Sequence, residues 1–221
     1  MQYSRSTQQL LSKLVYRLMC FQGVPQYDAK KEQLHARYVV SRRHFHVLKK
    51  AAEKLFLEGI RLYGRHLDGQ AANKWRLAAL LQHGPSHAFL STLLLYGGTE
   101  VEQDVKQAFE VACAGAALGC SDSNGALADC LIRGGDIPED VVRGLALAKK
   151  SAATGSRFGL FAYGMYFFVG KGVAYDDTET VRLLRLAAAQ GHRRAKSLLS
   201  YIFEIEDLEQ SSGHQNAKEE P

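Results

Sequence analysis

An all-α solenoid of stacked helical hairpins is the fold this sequence predicts, on three observations. First, glycines recur at intervals of 36 residues: Gly119, Gly155 and Gly191 in one column, Gly98, Gly134 and Gly170 in another. Second, the alanine pairs Ala116–Ala117, Ala152–Ala153 and Ala188–Ala189 keep the same interval, as does a column of small residues, Thr92, Ala128, Gly164 and Ser200. Third, each interval holds two apolar helical stretches separated by a glycine-containing turn. A fixed period of this length marks a repeat architecture, in which each unit buries its apolar face only against its neighbours.

The elements follow in chain order. The first 27 residues contain no acid, and Arg5, Gln9, Lys13 and Arg17 form one polar stripe opposite Leu11, Leu14, Val15 and Leu18. Such a basic amphipathic helix suits a cap over the open end of the solenoid, or a mitochondrial presequence. A second basic helix is expected from about residue 29 to 62, carrying Lys30, Lys31, Arg37, Arg42, Arg43, Lys49, Lys50 and Lys54. Residues 1–48 therefore form a basic N-terminal segment. The unit at 119–154 reads as ALADCLI, the turn Gly134-Gly135, a helix start at Pro138-Glu139-Asp140, and LALAKKSAATG. The unit at 155–190 reads as FGLFAYGMYFFV, stopped by Gly170-Lys171-Gly172. Its second helix begins at Asp176-Asp177, where acids suit the helix dipole. That helix carries Val181, Leu184 and Ala188 on one stripe and ends at Gly191, a C-terminal capping glycine. Glycine costs a helix interior about 0.5–1 kcal/mol, so Gly164 is expected to mark a backbone contact that a methyl group would spoil. Residues 205–221 carry a net charge of −4 and read as a disordered tail.

The run YGMYFFVGKGVAYD (163–176), followed by LAAAQG (186–191), resembles the Sel-one-like repeat, a 36-residue relative of the tetratricopeptide repeat. The family pattern is Leu-Gly-x-Met-Tyr, Gly-x-Gly-Val, Asp, then Ala-Ala-x-x-Gly. Here Tyr163 replaces the Leu, Met165 follows the Gly directly, and Leu183 stands for the usual Trp. The match is most specific over 155–191, good over 119–154 and weaker over 84–118. A diverged unit with Gly59, Gly64 and Trp75-Arg76-Leu77-Ala78-Ala79 precedes them, and a half unit, GHRRAKSLLSYIFE, follows. Units are thus expected at about 49–83, 84–118, 119–154, 155–190 and 191–204.

The resemblance implies a right-handed α-solenoid whose first helices line a concave groove. It further implies a non-enzymatic scaffold or adaptor that binds a protein or peptide segment there. The groove columns would be Phe158, Phe161, Met165 and Phe168 in the third clear unit. Phe89, Leu93 and Tyr96 stand in the first, Asp129 and Ile132 in the second, and Arg194 and Tyr201 in the last. An open aromatic groove suits a helical or extended peptide, and these side chains are then expected to keep substantial exposure. The alternatives are that they are core, or that the protein's own N-terminal helix fills the groove.

Other chemistry finds little support. His83 and His87 have metal-ligand spacing, but Gly84-Pro85 intervenes and breaks the helix that would align them. His44 and His46 are two apart and point in different directions on a helix. Gly170-Lys171-Gly172 lacks the spacing and the hydroxyl residue of a phosphate loop. Asp176-Asp177 reads as a cap. No set of nucleophile, base and orienting group is evident, so no cofactor, metal or catalytic residue is expected.

Composition bounds the partners. Hydrophobic residues make up 46% of the 221, in the range of an ordinary soluble globular chain, and no run of about 18 apolar residues predicts a membrane span. Cys20, Cys113, Cys120 and Cys130 form no CxxC pair, and the N-terminus carries no convincing secretory signal, which points to a reduced intracellular compartment: cytoplasmic, with mitochondrial as the alternative. Residues 1–66 carry a net charge of +9, while residues 67–204 balance at zero. The basic segment makes an RNA-associated or mitochondrial complex subunit the second reading, with nucleic acid ranked behind protein as partner.

Overall fold

The structure, a computed structural model, describes residues 42–135, 137 and 139–216. The expected helix over 1–27, with its choice between cap and presequence, lies outside these residues. Nine helices are described: α1 (Arg42–Tyr63), α2 (Asp68–Leu80), α3 (Gly84–Tyr96), α4 (Val105–Ala117), α5 (Ser121–Arg133), α6 (Val141–Ala153), α7 (Arg157–Val169), α8 (Asp177–Ala189) and α9 (Arg193–Asn216). They pair as antiparallel hairpins α1–α2, α3–α4, α5–α6 and α7–α8, and α9 packs on α8. Among the described residues the only β-type pairing is an isolated bridge between Gly98 and Val101.

Local chemistry explains why each hairpin has the same form. The second helices α4, α6 and α8 start alike: the carboxylates of Asp104, Asp140 and Asp176 accept the backbone N–H three residues on, at 2.8, 3.0 and 2.9 Å. These three aspartates are themselves 36 residues apart. Each second helix stops where Gly119, Gly155 or Gly191 takes a positive φ, of 74°, 78° and 84°, which a side chain would strain. Gly170-Lys171-Gly172 is the turn of the α7–α8 hairpin. Its lysine reaches back to the preceding unit, donating to the Ile132 carbonyl at 3.1 Å and to Glu139 at 2.7 Å.

First helices α3, α5 and α7 pack against one another in series. Each second helix touches its own partner and the next first helix. The first helices therefore lie inside the curve and the second helices outside. The tightest approach lies in the first turns of α5 and α7. A Cβ on Gly125 would collide with the backbone of Phe158 and Gly159, and one on Gly159 would collide with the end of α6 at Ser151 and Ala152.

Two expectations are corrected here. A methyl group on Gly164 would sit 3.4 Å from Leu183 Cβ and 3.6 Å from Leu184 Cδ2, ordinary side-chain contacts. The backbone contact expected at Gly164 belongs to Gly125 and Gly159 instead. Within the small-residue column, Thr92 and Ala128 are buried but Ser200 is exposed, because no further hairpin among the described residues packs over α9. The chain beyond residue 204 also stays helical to Asn216, where disorder was expected. Its sequence, EIEDLEQ, is built from good helix formers and contains no glycine or proline until Gly213.

Candidate functional site

The inner face is floored by aromatic rings. Phe89 of α3 meets Trp75 of α2 at 5.0 Å between centroids and Phe158 of α7 at 4.9 Å. Phe89 and Phe158 reach each other past α5 because the α5 position in the repeat column of Phe89 and Phe161 is Gly125, which has no side chain. Phe161 continues the row towards Tyr96, 6.3 Å away. The start of α9 then lies across this floor. The imidazole of His192 stacks on Phe161 at 4.3 Å with an interplanar angle of 19°, and stands edge-on to Phe158 at 5.2 Å.

This lid overturns the expected open groove. Phe158 and Phe161 are each only 3% exposed, and Phe89, Leu93, Asp129 and Ile132 are buried too. The occupant is the chain's own His192–Arg194 segment. Tyr96, Met165, Phe168 and Arg194 remain half-buried, and Tyr201 is 60% exposed. The crevice left between Tyr63, Phe89, Thr92, Arg157 and His192 has room for about one water.

Arginines surround this floor. Arg193 crosses to the first hairpin: its guanidinium lies 3.5 Å over the Tyr63 ring, Nη2 donates to Asp68 Oδ1 at 2.8 Å, and Nη1 donates to the Tyr63 carbonyl at 3.3 Å. Asp68 is buried, and its other oxygen accepts the Thr99 N–H at 3.0 Å. Arg133 and Arg194 stand 4.4 and 4.3 Å from the Tyr96 ring centroid, and Arg194 donates to the Tyr96 carbonyl at 3.0 Å. Arg157 lies over Phe89 at 5.5 Å.

Two buried titratable groups sit among these charges. The Tyr96 hydroxyl stands 2.9 Å from each oxygen of the Asp129 carboxylate and donates to it. Burial pushes the Asp129 carboxyl up to about 6, against the downward pull of Tyr96, Arg133 and Arg194. Burial pushes His192 down to about 3, and the positive charges of Arg157 and Arg194 add to that. His192 is thus a neutral packing ring, and its Nδ1 accepts the Ala195 N–H at 3.2 Å at the start of α9.

The other candidates are structural. The ring nitrogens of His83 bond Ser86 Oγ at 2.8 Å and Glu53 at 3.0 Å, while His87 Nδ1 bonds the His83 carbonyl at 3.0 Å, so the two imidazoles do not converge. His46 is exposed, and among the described residues no His, Cys, Asp and Glu cluster is arranged to hold a metal. Sequence reasoning named Arg194 but missed Arg133, Arg157, His192 and Arg193. One signal was available: Arg157 and Arg193 are 36 residues apart, each the first residue of a first helix.

Helical hairpins stacked with their first helices inward define a helical-repeat α-solenoid. The Sel1 repeat model matches residues 84–119, 121–156 and 158–192, and the chain is a Sel1 repeat protein carrying three such repeats. Three similar solved structures are themselves Sel1-type proteins. A Sel1 repeat protein from Oxalobacter formigenes is 18% identical with a TM-score of 0.48, over 71% of this chain and 64% of that one. The protective antigen c5321 of uropathogenic Escherichia coli, described as displaying an SLR fold, is 18% identical with a TM-score of 0.37, over 88% and 48%. A putative Sel1 repeat protein from Klebsiella pneumoniae is 14% identical with a TM-score of 0.42, over 68% and 92%. The chain thus spans less than two thirds of the Oxalobacter protein and about half of the Escherichia one. No curated protein sequence matches it.

Proposed function

We propose that this Sel1 repeat protein is a non-enzymatic scaffold or adaptor that holds a protein segment against its inner face. Sel1 repeat proteins commonly mediate protein interactions and are typically non-catalytic. The observation that carries the reading here is the unfinished state of that face. Above a floor buried by His192, Tyr96, Met165, Phe168 and Arg194 stay half-buried and Tyr201 exposed, Tyr96 on the helix of Phe89 and Met165 and Phe168 on that of Phe158 and Phe161. Partly exposed aromatic, Met and Arg side chains beside a rigid apolar floor are the residue types that anchor protein interfaces. No described helix is long and apolar enough to cross a membrane.

A photo-crosslinking amino acid placed at Met165 or at Tyr201 in the full chain, in cells, tests this. Both positions are expected to give discrete protein adducts, and Val142, fully accessible at 82% on outer helix α6, to give none. Adducts from Val142 alone would move the interface to the outer face. The second reading, an RNA-associated or mitochondrial complex subunit, draws its support from the net +9 of residues 1–66. Ribonuclease-sensitive adducts, or adducts lost on removing residues 1–48 with the Met165 site intact, would favour it.

A further inference from the structure

We infer that the segment held on the inner face is acidic, received by a cluster of three guanidinium groups, Arg133, Arg157 and Arg194. This rests on the docking reading above and names the chemistry of its partner. The three arginines come from α5, α7 and α9, yet they share one neighbourhood. Arg133 and Arg194 both stand over the Tyr96 ring, at 4.4 and 4.3 Å, and Arg157 and Arg194 both line the crevice beside His192. Arg157 is also held over Phe89. Guanidiniums steadied over aromatic rings lose little freedom on binding and offer N–H pairs matched to a carboxylate.

The local charge is unbalanced. Among residues 46–135, 137 and 139–204, whose side chains are described, no carboxylate forms an ion pair with Arg133, Arg157 or Arg194, whereas neighbouring Arg193 is satisfied by Asp68. Facing the cluster are Tyr96 and Asp129 from α3 and α5, neutral His192, and the Arg193–Asp68 pair. The one carboxylate among them that is not ion-paired, Asp129, is buried beneath Tyr96 and offsets at most one of three positive charges. The surplus can reach partners: Arg133 is exposed, and Arg157 and Arg194 are partly exposed.

The distribution of charge favours protein over nucleic acid. A nucleic-acid surface needs an extended basic stripe that follows a phosphate backbone. Here residues 67–204 balance at zero net charge, and the three arginines are confined to one aromatic-lined patch. That arrangement suits a few carboxylates projecting from a peptide.

Fluorescence anisotropy on the full chain tests the assignment, with a labelled Glu/Asp-rich peptide of about twelve residues, its Gln/Asn counterpart and an oligouridylate of similar length. The acidic peptide is expected to bind roughly tenfold or more tightly than the amide peptide, the loss of one good charge-assisted contact being worth about that factor. It should also bind more tightly than the RNA. Arg133→Gln with Arg157→Gln should weaken it at least about tenfold, and Arg133→Gln alone, at an exposed side chain, should weaken it with the thermal midpoint unchanged. Equal binding of acidic and amide peptides, tighter binding of RNA, or indifference to the double substitution would overturn the inference. The chain's own acidic tail is the remaining occupant. If Glu206→Gln, Asp207→Asn and Glu209→Gln together tighten peptide binding by roughly tenfold, the cluster serves that tail and the assignment to a partner fails. Crosslinks at Met165 or Tyr201 without acidic-peptide binding would leave docking standing and remove only this inference.

Discussion

Asp129 and His192 are opposite answers to burial at the same place. An unfolded aspartate titrates near 3.9, and the folded one is raised to about 6. The folded state therefore prefers the protonated acid. Stability is unaffected below about pH 4 and declines as pH rises through 6, by about 2–3 kcal/mol in all. His192 runs the other way. Its folded value near 3 lies below the unfolded 6.5, so stability is full above about pH 6.5 and is lost as pH falls towards 3. The two effects oppose each other between pH 4 and 6 and flatten the profile. Asp129→Asn keeps an acceptor for the Tyr96 hydroxyl but removes the charge. Thermal melts from pH 4 to 8 should show the variant melting several degrees higher than the parent above pH 6, with the difference vanishing towards pH 4. Parallel curves would mean that Asp129 is not held as described.

At the scale of the element, the spacing between hairpins depends on glycines that have no freedom to change. Gly125 and Gly159 lie where the first turns of α5 and α7 touch, and any Cβ at Gly125 meets backbone that cannot rotate away. Gly125→Ala should force α5 and α7 apart and cost at least about 2 kcal/mol. The same step would lift α7 from α3 and loosen the Phe89–Phe158 contact. Gly164 differs, because its neighbours are the Leu183 and Leu184 side chains at ordinary contact distance. Gly164→Ala should stay within about 1 kcal/mol of the parent, its gain in helix propensity offsetting slight crowding. Chemical denaturation of both variants checks the contrast, and equal losses would contradict it.

On the scale of the whole molecule, the last element is tied to the first hairpin. Solenoids normally hold together by neighbour contacts alone. Here Arg193 joins Asp68 across 125 residues of sequence and lies over Tyr63. Asp68 is nearly inaccessible, so removing its partner leaves a buried carboxylate with only the Thr99 N–H, a loss of order 3 kcal/mol. Arg193→Ala should also uncouple α1 and α2 from the rest. Hydrogen exchange over residues 68–80 is expected to speed up in the variant while that of α5 and α7 changes little. Uniform acceleration along the chain would show instead that the hairpins melt as one unit.

The sequence by itself determined the repeat, because everything that shapes one hairpin lies within 36 residues. The aspartate caps, the left-handed glycines after α4, α6 and α8, and the apolar faces are local demands, and a period exposes them. Tail and groove were harder to read. The composition of residues 205–216 resembles disorder, although the helix formers there extend α9 to Asn216. Phe158 and Phe161 have the spacing of groove residues, yet His192 covers them. Whether α9 begins on the floor or outside it depends on how far the units rotate and how closely α5 and α7 approach. That is a sum of small interhelical angles and contacts, and no single repeat carries it. Tertiary structure alone therefore decided that the rings form a floor, that Arg193 pairs with Asp68, and that Arg133, Arg157 and Arg194 gather on one face.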